Sequence, residues 1–186
     1  NGSNQRVFQI SDNSFARIDG LCIRNGGKTS YPFITEGAGI YDAYTYEQII
    51  SSCIISNNTS GREGGGLYLG NMCDVVISNN IITHNTLDIL DRDNDRYGGG
   101  MFAYNCYGTL VDTIISSNRT MNSSHGYSNT RSAGGGLALS GGSWNVIRNV
   151  FTLNGALAAS SDYLQKRGGG ERPMKRKTIQ KILFFF

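Results

Sequence analysis

Apolar residues come in short clusters along this chain, and the clusters recur. Ile49-Ile50, Val75-Val76-Ile77, Leu110-Val111 and Val146-Ile147 are bounded by Gly, Asn and Ser. A second run follows each: Ile54-Ile55, Ile81-Ile82, Ile114-Ile115 and Val150-Phe151. Short β-branched runs closed by turn formers predict strands. No stretch sustains the apolar period of an α-helix, so helices are not expected.

The polar frame repeats too. A Gly-rich opening stands at Gly37-Ala38-Gly39-Ile40, Gly64-Gly65-Gly66-Leu67, Gly98-Gly99-Gly100-Met101 and Gly134-Gly135-Gly136-Leu137, and a closing asparagine at Asn58, Asn85, Asn118 and Asn154. The spans Gly37 to Asn58, Gly64 to Asn85, Gly98 to Asn118 and Gly134 to Asn154 agree to within a single position. The spans from each asparagine to the next glycine, Asn58 to Gly64, Asn85 to Gly98 and Asn118 to Gly134, lengthen steadily along the chain. The part of fixed length must stack on its neighbours, and the part of floating length must lie at the surface. Several short strands per repeat predict an all-β parallel solenoid of about five coils, with loops of variable length on one side. The general crossover preference makes it right-handed. One coil cannot bury its apolar side chains alone; coils stacked about 4.8 Å apart form a continuous core.

This register predicts columns. Ile40, Leu67, Met101 and Leu137 face inward in one; Ile55, Ile82, Ile115 and Phe151 form another, with Cys22 as first member. The closing asparagines form a third, joined by Asn25, in which amides bond from coil to coil. The glycines suit a positive φ or close packing on the coil beneath.

GGGLYL, GGGMFA and GGGLAL, with Phe151-Thr-Leu-Asn154, Ile115-Ser-Ser-Asn118 and Ile82-Thr-His-Asn85, resemble the GGA[IL] and FxxN repeats of the polymorphic outer membrane proteins. They equally resemble the right-handed parallel β-helix repeats of secreted bacterial proteins with the pectate-lyase-like fold. Ile18-Asp-Gly-Leu-Cys-Ile-Arg-Asn-Gly26 is similar to the "IDGFTIxNG" coil common there. The resemblance covers about residues 10–170. It implies the solenoid and a secreted or cell-surface location, but that fold hosts lyases, hydrolases, adhesins and passenger domains alike.

Charge sharpens the domain organisation. The 186 residues carry a net +3, yet residues 1–165 hold 10 Lys/Arg against 13 Asp/Glu, and residues 166–186 hold 7 against 1. A mildly acidic body gives no reason to expect nucleic acid. Residues 1–170 are expected to form the solenoid, as a piece of a longer one whose further coils are its neighbours. Residues 171–186 form a basic tail ending Ile182-Leu-Phe-Phe-Phe186, outside the stack; that apolar end is far too short to span a bilayer.

Candidate chemistry is sparse. Asp91, Asp93 and Asp95 alternate in the most charged loop, a spacing that converges carboxylates on calcium, the cofactor this pattern suggests. Arg96 and Phe102 stand where an EF-hand needs Gly and Glu, and a solvated, salt-bridged loop is the competing reading. With Leu67 inward, Tyr41, Tyr68 and Phe102 point outward in register, where rings at coil spacing suit stacking on sugars; a ladder that only supports the sheet competes with this. Cys73 precedes Asn85 by the same offset as Cys106 precedes Asn118, so the two cysteines stack; same-direction side chains strain a bridge, and buried thiols are expected. Catalysis by lyase or hydrolase needs carboxylates matched across adjacent strands. Asp42, Asp74 and Asp112 precede Asn58, Asn85 and Asn118 by three different offsets, so none is matched with another, and Arg148 stands apart from all three. The best catalytic set is then Asp91, Asp93, Asp95 and Arg92. The expectation is a non-catalytic, adhesin-like or passenger scaffold with a carbohydrate or cell-surface ligand, against a polysaccharide lyase or hydrolase, or a structural spacer.

Overall fold

A computed structural model describes residues 6–11, 13–27, 36–87, 96–121, 132–157 and 183–185. Every strand pairing among them is parallel. The first face stacks β1 (Phe8–Ser11), β4 (Ile40–Ala43), β8 (Leu67–Gly70) and the starts of β13 (Met101–Val111) and β17 (Leu137–Ile147). The second stacks β2 (Arg17–Asp19), β5 (Gln48–Ser51), β9 (Asp74–Ser78) and the ends of β13 and β17. The third is β3 (Cys22–Arg24), β6 (Ile54–Ser56), β10 (Ile81–Thr83), β14 (Ile114–Ser116) and β18 (Val150–Thr152). A short fourth run holds β7 (Thr59–Ser60), β11 (Thr86–Leu87), β15 (Arg119–Met121) and β19 (Gly155–Leu157). Five rungs, starting at Phe8, Ile40, Leu67, Met101 and Leu137, therefore enclose four complete turns.

The interior follows the period of two. Ile40, Leu67, Met101 and Leu137 form one buried column. Ile55, Ile82 and Ile115 are fully buried in another, which Phe151 extends. Its first member is Ile23, not Cys22: Cys22 pairs with Ile54 on the outer side and is exposed. The same one-position correction moves Asn25 out of the asparagine column, because Gly26 occupies that level and donates its N–H to Asn58 Oδ1 at 2.9 Å. A Cβ on Gly26 would collide with the Ala38 carbonyl, so a side-chain amide has no room there.

The reason for the slip lies in how the corners turn. Each corner is made by residues with positive φ, stacked in columns. One holds Asn25, Asn57, His84, Ser117 and Leu153; the next holds Gly20, Ser52, Asn79, Asp112 and Arg148; a third holds Tyr44, Asn71, Asn105 and Gly141. The leading glycines Gly37, Gly64, Gly98 and Gly134 make the fourth, with φ between 55 and 69°. Asparagine and glycine tolerate this conformation, whereas other L-residues pay roughly 1–2 kcal/mol for it. Asparagine thus marks both the turning position and the ladder beside it. The third glycine of each opening serves packing: a Cβ on Gly100 would lie 2.6 Å from the Gly136 carbonyl and 2.8 Å from Asn118 Nδ2.

Asn58, Asn85, Asn118 and Asn154 form the buried ladder. Asn85 Oδ1 accepts from Asn58 N and Nδ2 at 3.0 and 2.9 Å; Asn85 Nδ2 donates to Ile55 O and Asn118 Oδ1 at 2.9 and 3.0 Å. Asn118 repeats the pattern with Ile82 and Asn154. The amide's donors and its acceptor oxygen are thereby satisfied inside the core. A second ladder, not anticipated, runs through Cys53, Asn80, Thr113 and Asn149. Asn80 Oδ1 accepts the Cys53 N–H at 2.8 Å, and Asn149 Oδ1 accepts that of Thr113 at 2.9 Å. All four precede a closing asparagine by one and the same offset, which is visible in the sequence.

The cysteine expectation is corrected as well. Cys73 and Cys106 are joined in a disulfide across neighbouring coils, with Cα atoms 4.8 Å apart. Stacking puts their Cα atoms within bridging range: Cys106 lies within β13, and Cys73 directly precedes β9 on the neighbouring coil. Cys53 is buried and free. In the tail, β20 (Leu183–Phe185) pairs in parallel with Ala138–Ser140, so this short apolar segment adds to the first face, a pairing not expected of the tail. Residues 158–182 lie outside the described part.

Candidate functional site

The aromatic column expected to point outward does so in register, with Tyr41 opposite Tyr68 and Tyr68 opposite Phe102. Tyr41 and Tyr68 stack with ring centroids 5.1 Å apart and planes 8° apart. Phe102 follows at 6.0 Å and Tyr97 packs on it at 5.6 Å, while the Arg6 guanidinium covers Tyr41 at 4.4 Å. This is a second, outer apolar cluster, with Ala138 as its last member. Tyr68 is 7% exposed and Phe102 4%, so neither presents an open ring face to a sugar. Burial, reinforced by the charge of Glu63, pushes the Tyr68 hydroxyl pKa well up. Glu63 is itself raised by burial, against the pull of Arg62. The column thus takes the form of the supporting ladder.

Open aromatic surface lies instead at the corner between the first two faces. Phe15 on the first rung, Tyr44 and Tyr46 on the second, Met72 on the third, and Tyr104 and Tyr107 on the fourth are each at least 42% exposed. Their neighbours are Asn13, Asn71, Asn105, Gly141 and Gly142, all with positive φ. Such a mix of Tyr, Asn, Ser and Gly gives large amphipathic contact area at low side-chain entropy. Below the tyrosines, extension of the β5–β9 register sets Glu47 beside Asp74, both exposed. Sequence reasoning missed this corner because its aromatics lie at and beside bends with positive φ, Tyr104 and Tyr107 on either side of Asn105 within β13, where strand alternation does not hold.

Under the corner on the second rung is a polar cluster turned inward. Asp42 is fully buried; its Oδ1 accepts from Thr45 Oγ1 at 2.5 Å, and its Oδ2 has no hydrogen-bond partner among the described residues. Gln48 Nε2 donates to Ser14 O and Tyr46 O at 2.5 and 3.0 Å, while its Oε1 is unpartnered among the described residues. Burial lifts the Asp42 carboxyl to about 6, against a smaller opposing effect of the Thr45 hydrogen bond.

The other acidic candidates do not converge. Asp74 is an exposed strand end. Arg148 is not isolated: it grips Asp112 with Nε to Oδ1 at 2.7 Å and Nη2 to Oδ2 at 2.5 Å, which holds the Asp112 carboxyl below its usual range. Asp112 precedes Asn118 by the same offset as Arg148 precedes Asn154, and that match announces the pair in the sequence. An exposed pair of this kind adds little to stability. Asp91, Asp93, Asp95 and Arg92, the calcium and catalytic candidates, lie outside the described residues.

The comparisons with known proteins agree with the fold. A family model for the right-handed beta helix region matches residues 1–166. The chain belongs to that family, and its solenoid is the right-handed parallel kind expected from the repeats. No curated protein and no solved structure matches it.

Proposed function

We propose that this chain is a non-catalytic binding scaffold, displayed outside the cell, that presents the tyrosine corner to a carbohydrate. The observation that carries this reading is the exposed edge from Phe15 to Tyr107, aromatic on the first, second and fourth rungs and continued by Met72 on the third. Tyrosine offers an apolar face for a sugar ring and a hydroxyl for its polar rim. Glu47 and Asp74 at the foot of the corner disfavour a polyanionic chain, so the ligand class is a neutral glycan. The disulfide supports an oxidising, extracellular compartment. The GGGLYL and FTLN motifs support kinship with surface-displayed passengers.

A neutral and acidic glycan array probed with wild type, Tyr44→Ala/Tyr46→Ala and Tyr104→Ala/Tyr107→Ala tests the reading. Each pair is expected to lose about tenfold or more in affinity for a neutral glycan at unchanged melting temperature. Binding that ignores both pairs overturns it. Calcium-dependent release of unsaturated products from polygalacturonate, abolished by Asp93→Ala, replaces it with the lyase reading.

A further inference from the structure

We propose that Asp42 is a proton-operated latch for the tyrosine corner: protonated, it holds the 43–47 turn closed with Tyr44 and Tyr46 displayed; ionised, it lets that turn open. The inference rests on the binding role given to the corner and adds its regulation by pH.

The geometry carries it. Thr45 is the pivot, fully buried between two tyrosines that are both more than half exposed. Its hydroxyl is anchored inside the stack on the Asp42 carboxyl. That carboxyl faces aliphatic neighbours above and below. Its partner in β1 is Ile10 and its partner in β8 is Leu69. The titratable groups of the same stretch, Tyr44, Tyr46 and Glu47, are exposed on the outer side, and Tyr41 belongs to the outer ring stack. Asp42 Oδ2 and Gln48 Oε1 are both buried acceptors without a donor among the described residues. A proton on Oδ2 removes the buried charge and supplies a donor. Without it, an ionised carboxylate sits among aliphatic side chains, and exposure to water is its main relief. Asp42 occupies the last inward position of β4 before the corner, so turning outward draws Thr45 with it and unseats Tyr44 and Tyr46. The raised pKa, about 6, places the transition between acidic and neutral pH. No covalent step is involved; one proton is bound or released.

The test needs no ligand. Carboxyl carbon resonances of the wild-type chain are titrated from about pH 3 to about pH 8, and amide exchange protection of residues 44–48, corrected for intrinsic rates, is followed over the same range. The Cys106 and Tyr107 amides, at the same corner two rungs on, are the internal reference. Asp42 is expected to titrate near 6, and protection of 44–48 to fall by about tenfold to a hundredfold with the same midpoint while the reference holds. In Asp42→Asn the profile is expected to be flat. A carboxyl midpoint near 4, or protection that does not follow the Asp42 titration, overturns the latch. Should Asp42→Asn not fold, the two wild-type titrations decide. A failed latch leaves the Tyr44→Ala/Tyr46→Ala binding result standing, and a failed binding result leaves the latch standing.

Discussion

Removing one rung of the asparagine ladder should cost this protein a large part of its stability. In Asn85→Ala four side-chain hydrogen bonds vanish, those with Asn58 N, Asn58 Nδ2, Ile55 O and Asn118 Oδ1. Asn85 is fully buried, so water cannot replace them. At about 1 kcal/mol each, and more for a backbone N–H left orphaned, the loss comes to about 3–5 kcal/mol. A typical domain has only about 5–15 kcal/mol in all. Urea unfolding followed by circular dichroism and by Trp144 fluorescence reads the change as a shift in midpoint. Asn57→Ala is the control: Asn57 is the exposed neighbour with φ 54°, and its replacement should cost only about 1 kcal/mol. Asn85→Asp separates hydrogen bonding from shape. It keeps the volume but turns the amide donor into an oxygen facing Asn118 Oδ1 and the Ile55 carbonyl. It should be at least as damaging as alanine at neutral pH and partly recover in acid, where a proton restores one donor. A cost under about 1 kcal/mol for Asn85→Ala, or an Asn85→Asp variant as stable as wild type at neutral pH, would refute the reasoning.

Three other outcomes are expected. The folded-state pKa of Asp42, about 6, lies above its ordinary 3.8, so the native chain holds that proton more tightly than the unfolded chain. Its contribution is fully present below about pH 4 and is lost as pH rises through about 6, to the extent of about 3 kcal/mol; urea curves at about pH 4 and pH 7.5 should show that slope in wild type and lose it in Asp42→Asn. Leu153 holds a φ of 54° while 71% exposed, so Leu153→Asn should raise stability by about 1 kcal/mol, and a lower melting temperature would count against the account of the corners. The disulfide joins positions 33 apart in the sequence, so Cys73→Ala/Cys106→Ala should lose about 3–4 kcal/mol in urea, and a reductant should destabilise wild type but not the variant.

Much of this architecture was legible without coordinates. Constant spacing between the glycines and the closing asparagines determined which residues stack, because strands can share a column only if their offsets match. That reasoning placed Ile40 over Leu67, Ile55 over Ile82, and Asn58 over Asn85. It slipped where one residue type serves two needs: Asn25 turns a corner, and the ladder position beside it is Gly26. It also left two matched offsets unused, those of Asp112 with Arg148 and of Asn80 with Asn149.

What only the tertiary structure decided concerns the faces and the corners. Alternation along a strand says which side chains leave the core, but not whether another layer covers them. Tyr68 and Phe102 point outward and are nevertheless buried, because Tyr97 and the neighbouring rings close over them. Corners obey no period, so nothing in the pattern distinguishes Thr45, drawn inward by Asp42, from Tyr44 and Tyr46 on either side. Burial of a carboxyl depends on what stacks above and below it, here Ile10 and Leu69, which the chain supplies from the rung before and the rung after. That environment is a property of the assembled stack, and it sets the charge of Asp42, the acid buried beneath the tyrosine corner.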